Sequence, residues 1–393
     1  MSDLGIRRRD EGPAILSYGF RPFFLSGALW AVVAVLLWLP QYFGELTLSN
    51  AFQPMDWHAH EALFGYGGAV VAGFLLTAVP NWTGRFPLRG RGLLFLFLVW
   101  LAGRLAVALS GQIGWLAAAV VDCAFLFAFS FFIGREIVAG KNWRNLRVAI
   151  VVVLLATANV AFHVEAHFRG DAAYSRRFAL AVFVALIMLI GGRIIPSFTH
   201  TYLLQRRVAG RLPRKFGRFD VLCMAASAAA LAGWVAAPDN KTVGLALIGA
   251  GLLNVARLAR WAGERTYAEP LVLILHLAFA FIPIGFILSG LAAWSPEIAL
   301  SAGMHAWAVG GVGGMTIAVM TRASLGHTGY ALRAGQGTKL LYASVVLAAL
   351  ARIAAALAPQ WSFILLHVAA LAWLGAFLGF ALVYGPSLFR ARL

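Results

Sequence analysis

The strongest constraint on this chain is a succession of unbroken apolar runs, each about twenty residues long, the length at which an α-helix crosses the hydrocarbon core of a bilayer. Backbone groups in lipid must be satisfied within the protein, so such runs form helices or closed barrels. These runs are continuous rather than alternating, which predicts helices. Twelve can be placed, at 22–40, 58–80, 92–109, 114–134, 147–167, 177–196, 219–236, 243–260, 270–290, 298–320, 339–358 and 363–384. Short loops make neighbours antiparallel. The expected fold is all-α: a polytopic membrane protein of about 12 transmembrane helices, one transmembrane domain over residues 1–393. Composition agrees, with 61% hydrophobic and only 12% charged residues, against about a quarter charged in soluble domains.

A net charge of +17 raises nucleic acid as a partner. The distribution argues against it: no basic block sits on a soluble segment, and the lipid bilayer is the partner these charges fit. Most of the 32 Lys and Arg residues fall in alternate loops, among them Arg7, Arg8 and Arg9, then Arg85, Arg89 and Arg91, then Arg206, Arg207, Arg211, Arg214, Lys215 and Arg218. The intervening loops carry Arg169, Arg176, Arg177 and Lys241. Positive loops stay in the cytoplasm, which predicts both termini there. No cleaved signal peptide is expected, because no short apolar core with a small-residue site precedes residue 20. Cys123 and Cys223 each lie in an apolar run without a CxxC partner and read as packed thiols.

The ends of the second, sixth and tenth spans align. They read Pro80-Asn81-Trp82-Thr83-Gly84, Pro196-Ser197-Phe198-Thr199-His200 and Leu325-Gly326-His327-Thr328-Gly329. His60 precedes Gly84 by the same interval as His305 precedes Gly329. The expectation is a threefold repeat of four-helix units, 14–140, 141–262 and 263–393, kept parallel by their even number of spans. Arg104 and Arg352 then hold matching places in the third and eleventh spans.

Ionisable groups at membrane depth are costly and therefore invite a functional reading. Towards the outer face lie His58, His60, His163, His167, His305 and His367, with Glu61, Asp122, Arg104 and Arg352. Towards the inner face lie Arg193, Arg322, His200, His276 and His327. His58 and His60 are two apart and do not share a helix face; they serve different centres, or are interfacial. His305 matches His60, and imidazole is a common ligand of haem iron and copper; a hydrogen bond to a neighbouring helix is the alternative. His163 and His167 have ligand-like spacing on one face, whereas His367, alone in an apolar helix, reads as packing. Asp122 pairs most simply with Arg104, since a lone buried charge is expensive. Arg104 and Arg352 also suit the two propionates of a haem. The expected site lies between the first and third units, with His60 and His305 as ligands. The inner group reads as a second metal centre or electron-donor site, or as solvated ends and phospholipid contacts. Glycines such as Gly65, Gly67, Gly310 and Gly311 allow close helix packing or the approach of a flat macrocycle. With no P-loop, CxxCH or zinc-type framework, any cofactor lies within the bundle, held non-covalently.

The segments WHAHEALFG, GFLLTAVPNWTG, GGRIIPSFT, LHLAFAFIPIG and HAWAVGGVGGMTIAVMTRASLGHTG closely resemble the NnrS family of bacterial inner-membrane proteins, from about Phe20 to Gly385. The family is associated with nitric oxide metabolism, denitrification and nitrosative stress, and is described as containing haem and copper. The resemblance implies a bacterial cytoplasmic (inner) membrane location, a b-type haem, copper, and metal-binding roles for His58, His60, His276, His305 and His327. The chain departs from the pattern at Ala306-Trp307-Ala308, where Ala-Leu-Thr is expected, and at Tyr330, where Arg is usual.

Two classes of function follow. One is an oxidoreductase acting on nitric oxide, with metal ligands among His58, His60, His305 and His163, Glu61 as proton donor beside His60, His58 in the catalytic site, and electrons from a quinol or a redox protein. The other is a non-enzymatic sensor or transporter of nitric oxide, haem or metal, which twelve spans with internal repeats also suit.

Overall fold

A computed structural model describes residues 12–207 and 210–392; Arg7, Arg8 and Arg9, and the signal-peptide expectation, lie outside them. The described residues are helical with no strand, and twelve helices are long and apolar enough to cross a membrane. In order they are α1 (Phe20–Tyr42), α2 (Pro54–Thr83), α3 (Gly90–Ala108), α4 (Trp115–Ala139), α5 (Trp143–Arg169), α6 (Ala173–Gln205), α7 (Arg218–Ala236), α8 (Lys241–Arg265), α9 (Pro270–Ala292), α10 (Leu300–Thr328), α11 (Gln336–Leu357) and α12 (Pro359–Leu388). Their ends follow local chemistry. Pro54 and Pro270 open α2 and α9, where a missing N–H costs nothing. Asn240 caps α8 by accepting from the Thr242 and Val243 amides. Gly84 and Gly329 close α2 and α10 at φ +70° and +92°, a left-handed geometry that glycine adopts freely.

Helices α2, α6 and α10 are deeply buried and meet at the centre, and the others surround them. Contacts between α4 and α5, α8 and α9, and α12 and α1 close the ring. Helices α2, α6 and α10 are the three spans whose ends align in the sequence. Across the centre, the Tyr66 hydroxyl of α2 meets the Thr316 hydroxyl of α10. Arg21 NH1 donates to the carbonyls of Leu388 at 2.8 Å and Arg390 at 2.6 Å, tying the start of α1 to the end of α12.

Two details of the central helices position side chains. A π-helical turn follows His60, at Glu61–Gly67, and another follows His305, at Ala306–Gly313. Such turns rotate the helix face and often accompany functional sites. The glycines in them serve close packing. A Cβ on Gly67 would lie 2.6 Å from the Phe183 ring, one on Gly310 2.2 Å from the Phe281 ring, and one on Gly311 2.8 Å from Ile282. The departure at Trp307 is accommodated in the same way. Its ring lies over Gly285, packs edge-on against Trp234 and Phe286, and its Nε1 donates to the Ile282 carbonyl at 3.0 Å.

Candidate metal centre

His60 and Glu61, where the π-turn of α2 begins, meet side chains of α1, α3, α4 and α5. Asp122 on α4 is the hub of this cluster. Asp122 Oδ2 lies 3.0 Å from His163 Nε2 and 3.2 Å from His60 Nε2, and accepts from Asn159 Nδ2 at 2.8 Å. Asp122 Oδ1 pairs with the Arg104 guanidinium, whose NH1 donates to Glu61 Oε2 at 2.6 Å. Trp30 Nε1 donates to the same Glu61 oxygen at 2.6 Å. Glu61 Oε1 lies 3.1 Å from His60 Nδ1, and Asn159 Oδ1 lies 3.0 Å from His60 Nε2. His60, Glu61, Arg104, Asp122, Asn159 and His163 are all buried, none more than 3% exposed.

The backbone is cut to fit this cluster. A Cβ on Gly65 would come within 2.6 Å of Glu61 Oε2, 2.7 Å of Trp30 Nε1 and 2.8 Å of Arg104. One on Gly103 would come within 2.9 Å of Asp122 Oδ1. The Phe52, Phe64 and Phe162 rings lie 5.0–5.3 Å from the His60 ring, and the His163 ring lies 5.0 Å away. Charged groups at the centre of a bilayer cost about 2.5–3.5 kcal/mol each on insertion scales. Here they are offset by pairing: Arg104 bridges Glu61 and Asp122, and His60 lies between the two carboxylates.

His60, Asp122 and His163 are the one group of three or more metal-type side chains found among the described residues, with ligand atoms within 4.8 Å of one another. The donor set fits a transition metal. Four-coordinate bonds of about 2.0–2.1 Å put neighbouring ligand atoms about 3.3 Å apart, close to the 3.0 and 3.2 Å separations at Asp122 Oδ2. Two imidazoles and a carboxylate suit iron, copper or zinc. Glu61 behind His60 supplies the carboxylate–histidine support usual at such sites.

A second cluster lies apart from the first. His58 stacks on Trp38 with ring centroids 4.1 Å apart, and its Nδ1 is buried without a hydrogen-bond partner. His305 Nδ1 donates to the Ser301 carbonyl at 2.7 Å, which leaves its Nε2 lone pair open. Arg352 of α11 lies within electrostatic reach of both. All three are partly exposed, unlike the side chains of the first cluster. An orphaned imidazole nitrogen, a second imidazole with a free lone pair and an arginine fit a haem iron with a propionate partner.

The sequence expectation of one site shared by His60 and His305 is therefore corrected. Depth was read along the helices, but the side chains point to different neighbours: His60 to α4 and α5, His305 towards His58 and Arg352. Arg104 is likewise taken from the propionate role, since Glu61 and Asp122 occupy its guanidinium. Glu61 accepts from Trp30 and Arg104 and lies 3.1 Å from His60 Nδ1, which places it as a support for that ring. His163 joins the centre, while His167, one turn on, stacks on Trp115 at 4.1 Å. His276 Nε2 lies 2.8 Å from Thr199 Oγ1, and His327 packs against Tyr18 and Phe20; neither joins a metal-type cluster among the described residues. His367 donates from Nδ1 to the Phe363 carbonyl and stacks on Phe43, a packing role. Asn159 and Trp30 were not singled out from sequence. Asn159 stands one turn before His163, and a lone amide in an apolar run on the face of a candidate ligand was the available signal.

A twelve-span bundle that encloses a buried histidine–carboxylate cluster among α2, α3, α4 and α5 is a multi-pass membrane protein with a metal-competent interior. The extent of the match to one family fixes which: the NnrS protein family profile matches residues 14–392, and the chain belongs to the NnrS family. No curated protein matches it.

Proposed function

We propose that the protein is a haem- and copper-containing inner-membrane protein of the nitric oxide response that reduces nitric oxide. The observation that carries this reading is the convergence of His60 Nε2, His163 Nε2 and Asp122 Oδ2 in a buried pocket of an NnrS chain. In this reading His60, His163 and Asp122 hold copper, while His305 and His58 hold a b-type haem non-covalently, with Arg352 supplying charge for a propionate. Bound there, the metals supply redox chemistry and affinity for nitric oxide.

The chain's own residues do the rest. Phe52, Phe64 and Phe162 keep water from the pocket while admitting a small apolar gas that dissolves in the bilayer. Glu61, held by Trp30 and Arg104, fixes the His60 ring. Arg104 bridges both carboxylates and holds them in place. Joining two nitric oxide molecules as nitrous oxide and water consumes two electrons and two protons. A quinol or a redox protein would supply the electrons. Protons would enter from the His58–His305 side, whose side chains are partly exposed.

One feature favours a second reading as a sensor or transporter: the first cluster is sealed and charge-balanced, with no spare group to relay protons. Anaerobic nitric oxide consumption by the reduced, detergent-purified protein separates the two. Reduction predicts one nitrous oxide formed for two nitric oxide lost. A nitric oxide-induced spectral change without consumption would leave the sensor or transporter reading in its place.

A further inference from the structure

A cavity of about 480 Å³ opens at the positive-rich end of the bundle, between α5, α6 and the loop leading to α7. Arg144, Arg147, Arg193, His200, Arg214 and Lys215 line it, and among the described residues no Asp or Glu does. Several other cationic groups are answered by carboxylates: Arg257 by Asp220 at 3.1 Å, Arg85 and Arg135 by Glu136, Arg211 by Glu264 at 2.7 Å. Here the side-chain partner among the described residues is neutral, Asn145 Oδ1, which accepts from Arg193 NH1 at 2.7 Å. Arg144 and Arg147 lie close enough to act electrostatically on Arg193. The loop is held in place through its backbone, the Arg214 amide donating to the Arg260 carbonyl at 3.0 Å. Ser197 and Thr201 add hydroxyls to the lining, and Leu189, Phe216 and Met224 give it an apolar wall.

Five like charges converging on one open space repel one another unless an anion enters it. The volume falls in the range of pockets that enclose a small ligand, and the position is where basic pockets between membrane helices meet lipid headgroups. We propose that this cavity binds a phosphate-bearing anion with more than one negative charge. The apolar wall points to an anionic phospholipid headgroup of the inner leaflet, and a free di- or polyphosphate shares the same chemistry. The site is independent of the metal clusters.

Native mass spectrometry of the full-length, detergent-purified protein tests this, with separate titrations of cardiolipin, phosphatidylcholine and pyrophosphate. Cardiolipin should bind in preference to phosphatidylcholine, and the double variant Arg147→Gln/Arg214→Gln should lower its apparent affinity on the order of tenfold. The charge-matched control Arg333→Gln/Lys339→Gln, at exposed positions away from the cavity, should bind as wild type does. Pyrophosphate that binds the wild type and displaces cardiolipin would make a soluble phosphate the occupant. Equal loss in both double variants, or no loss in the cavity variant for either probe, would overturn the proposal. Because the readout is ligand mass on folded protein, a variant that does not fold is replaced by Lys215→Gln, which removes a lining charge from the loop.

Discussion

Asp122→Asn changes one atom at the hub of the buried centre. Asp122 is hydrogen-bonded at Oδ2 to His163 and Asn159 and at Oδ1 to Arg104, with His60 Nε2 3.2 Å from Oδ2. An asparagine has the same shape but one acceptor oxygen. Turned one way, its NH2 faces the guanidinium of Arg104; turned the other, it faces the Asn159 amide donor. Either orientation sets a donor against a donor, and the pocket loses one of the two carboxylates paired with Arg104. Removing one partner of a buried ion pair costs about 3–5 kcal/mol. In a chain of this size that corresponds to a fall in melting temperature of roughly 4–6 °C, measured by thermal unfolding in detergent. The same substitution should abolish metal at the centre, because Oδ2 is one of three ligand atoms. A variant that melts within about 1 °C of wild type with unchanged metal content would refute the hub role of Asp122.

Gly65→Ala touches no ligand, yet its Cβ would meet Glu61, Trp30 and Arg104 at 2.6–2.8 Å; it should destabilise by about 1–3 kcal/mol and lower metal occupancy, and a neutral result in both would contradict the packing described. His305→Ala or His58→Ala should bleach or shift the visible absorption of bound haem, whereas His367→Ala and His167→Ala should leave it unchanged; identical spectra in the first pair would remove them as ligands. Glu61→Gln should retain metal but slow nitric oxide consumption about tenfold or more by loosening His60, and full activity would show that Glu61 does not position the ring.

The helical architecture was legible because the length and continuity of the apolar runs admit no other membrane-spanning form. The partnership of Arg104 with Asp122 was legible too, because an unpaired charge at that depth is too expensive to keep. What sequence could not supply was azimuth. His60 and His305 each stand just before a π-turn, at Glu61–Gly67 and Ala306–Gly313, but the choice of neighbouring helices decides what each ring meets. The separation of His58 from His60 follows from a two-residue spacing on a helix, yet the partner of each depends on which helices pack alongside. His163 was visible as a candidate and Asn159 was not, since an amide carries no metal signal until its neighbours are known. The family resemblance brought attention to His276 and His327, whose surroundings are a threonine and two aromatic rings rather than other ligands.

The proposed metal site of His60, Asp122 and His163, distinct from the proposed haem site at His58 and His305, is tested most directly by the non-haem metal content of wild-type protein and of His163→Ala, by inductively coupled plasma mass spectrometry alongside the visible spectrum. About one non-haem metal per wild-type chain is expected, lost in His163→Ala while the haem absorption persists. Wild-type protein without stoichiometric non-haem metal, or a variant that keeps it, would rule the site out.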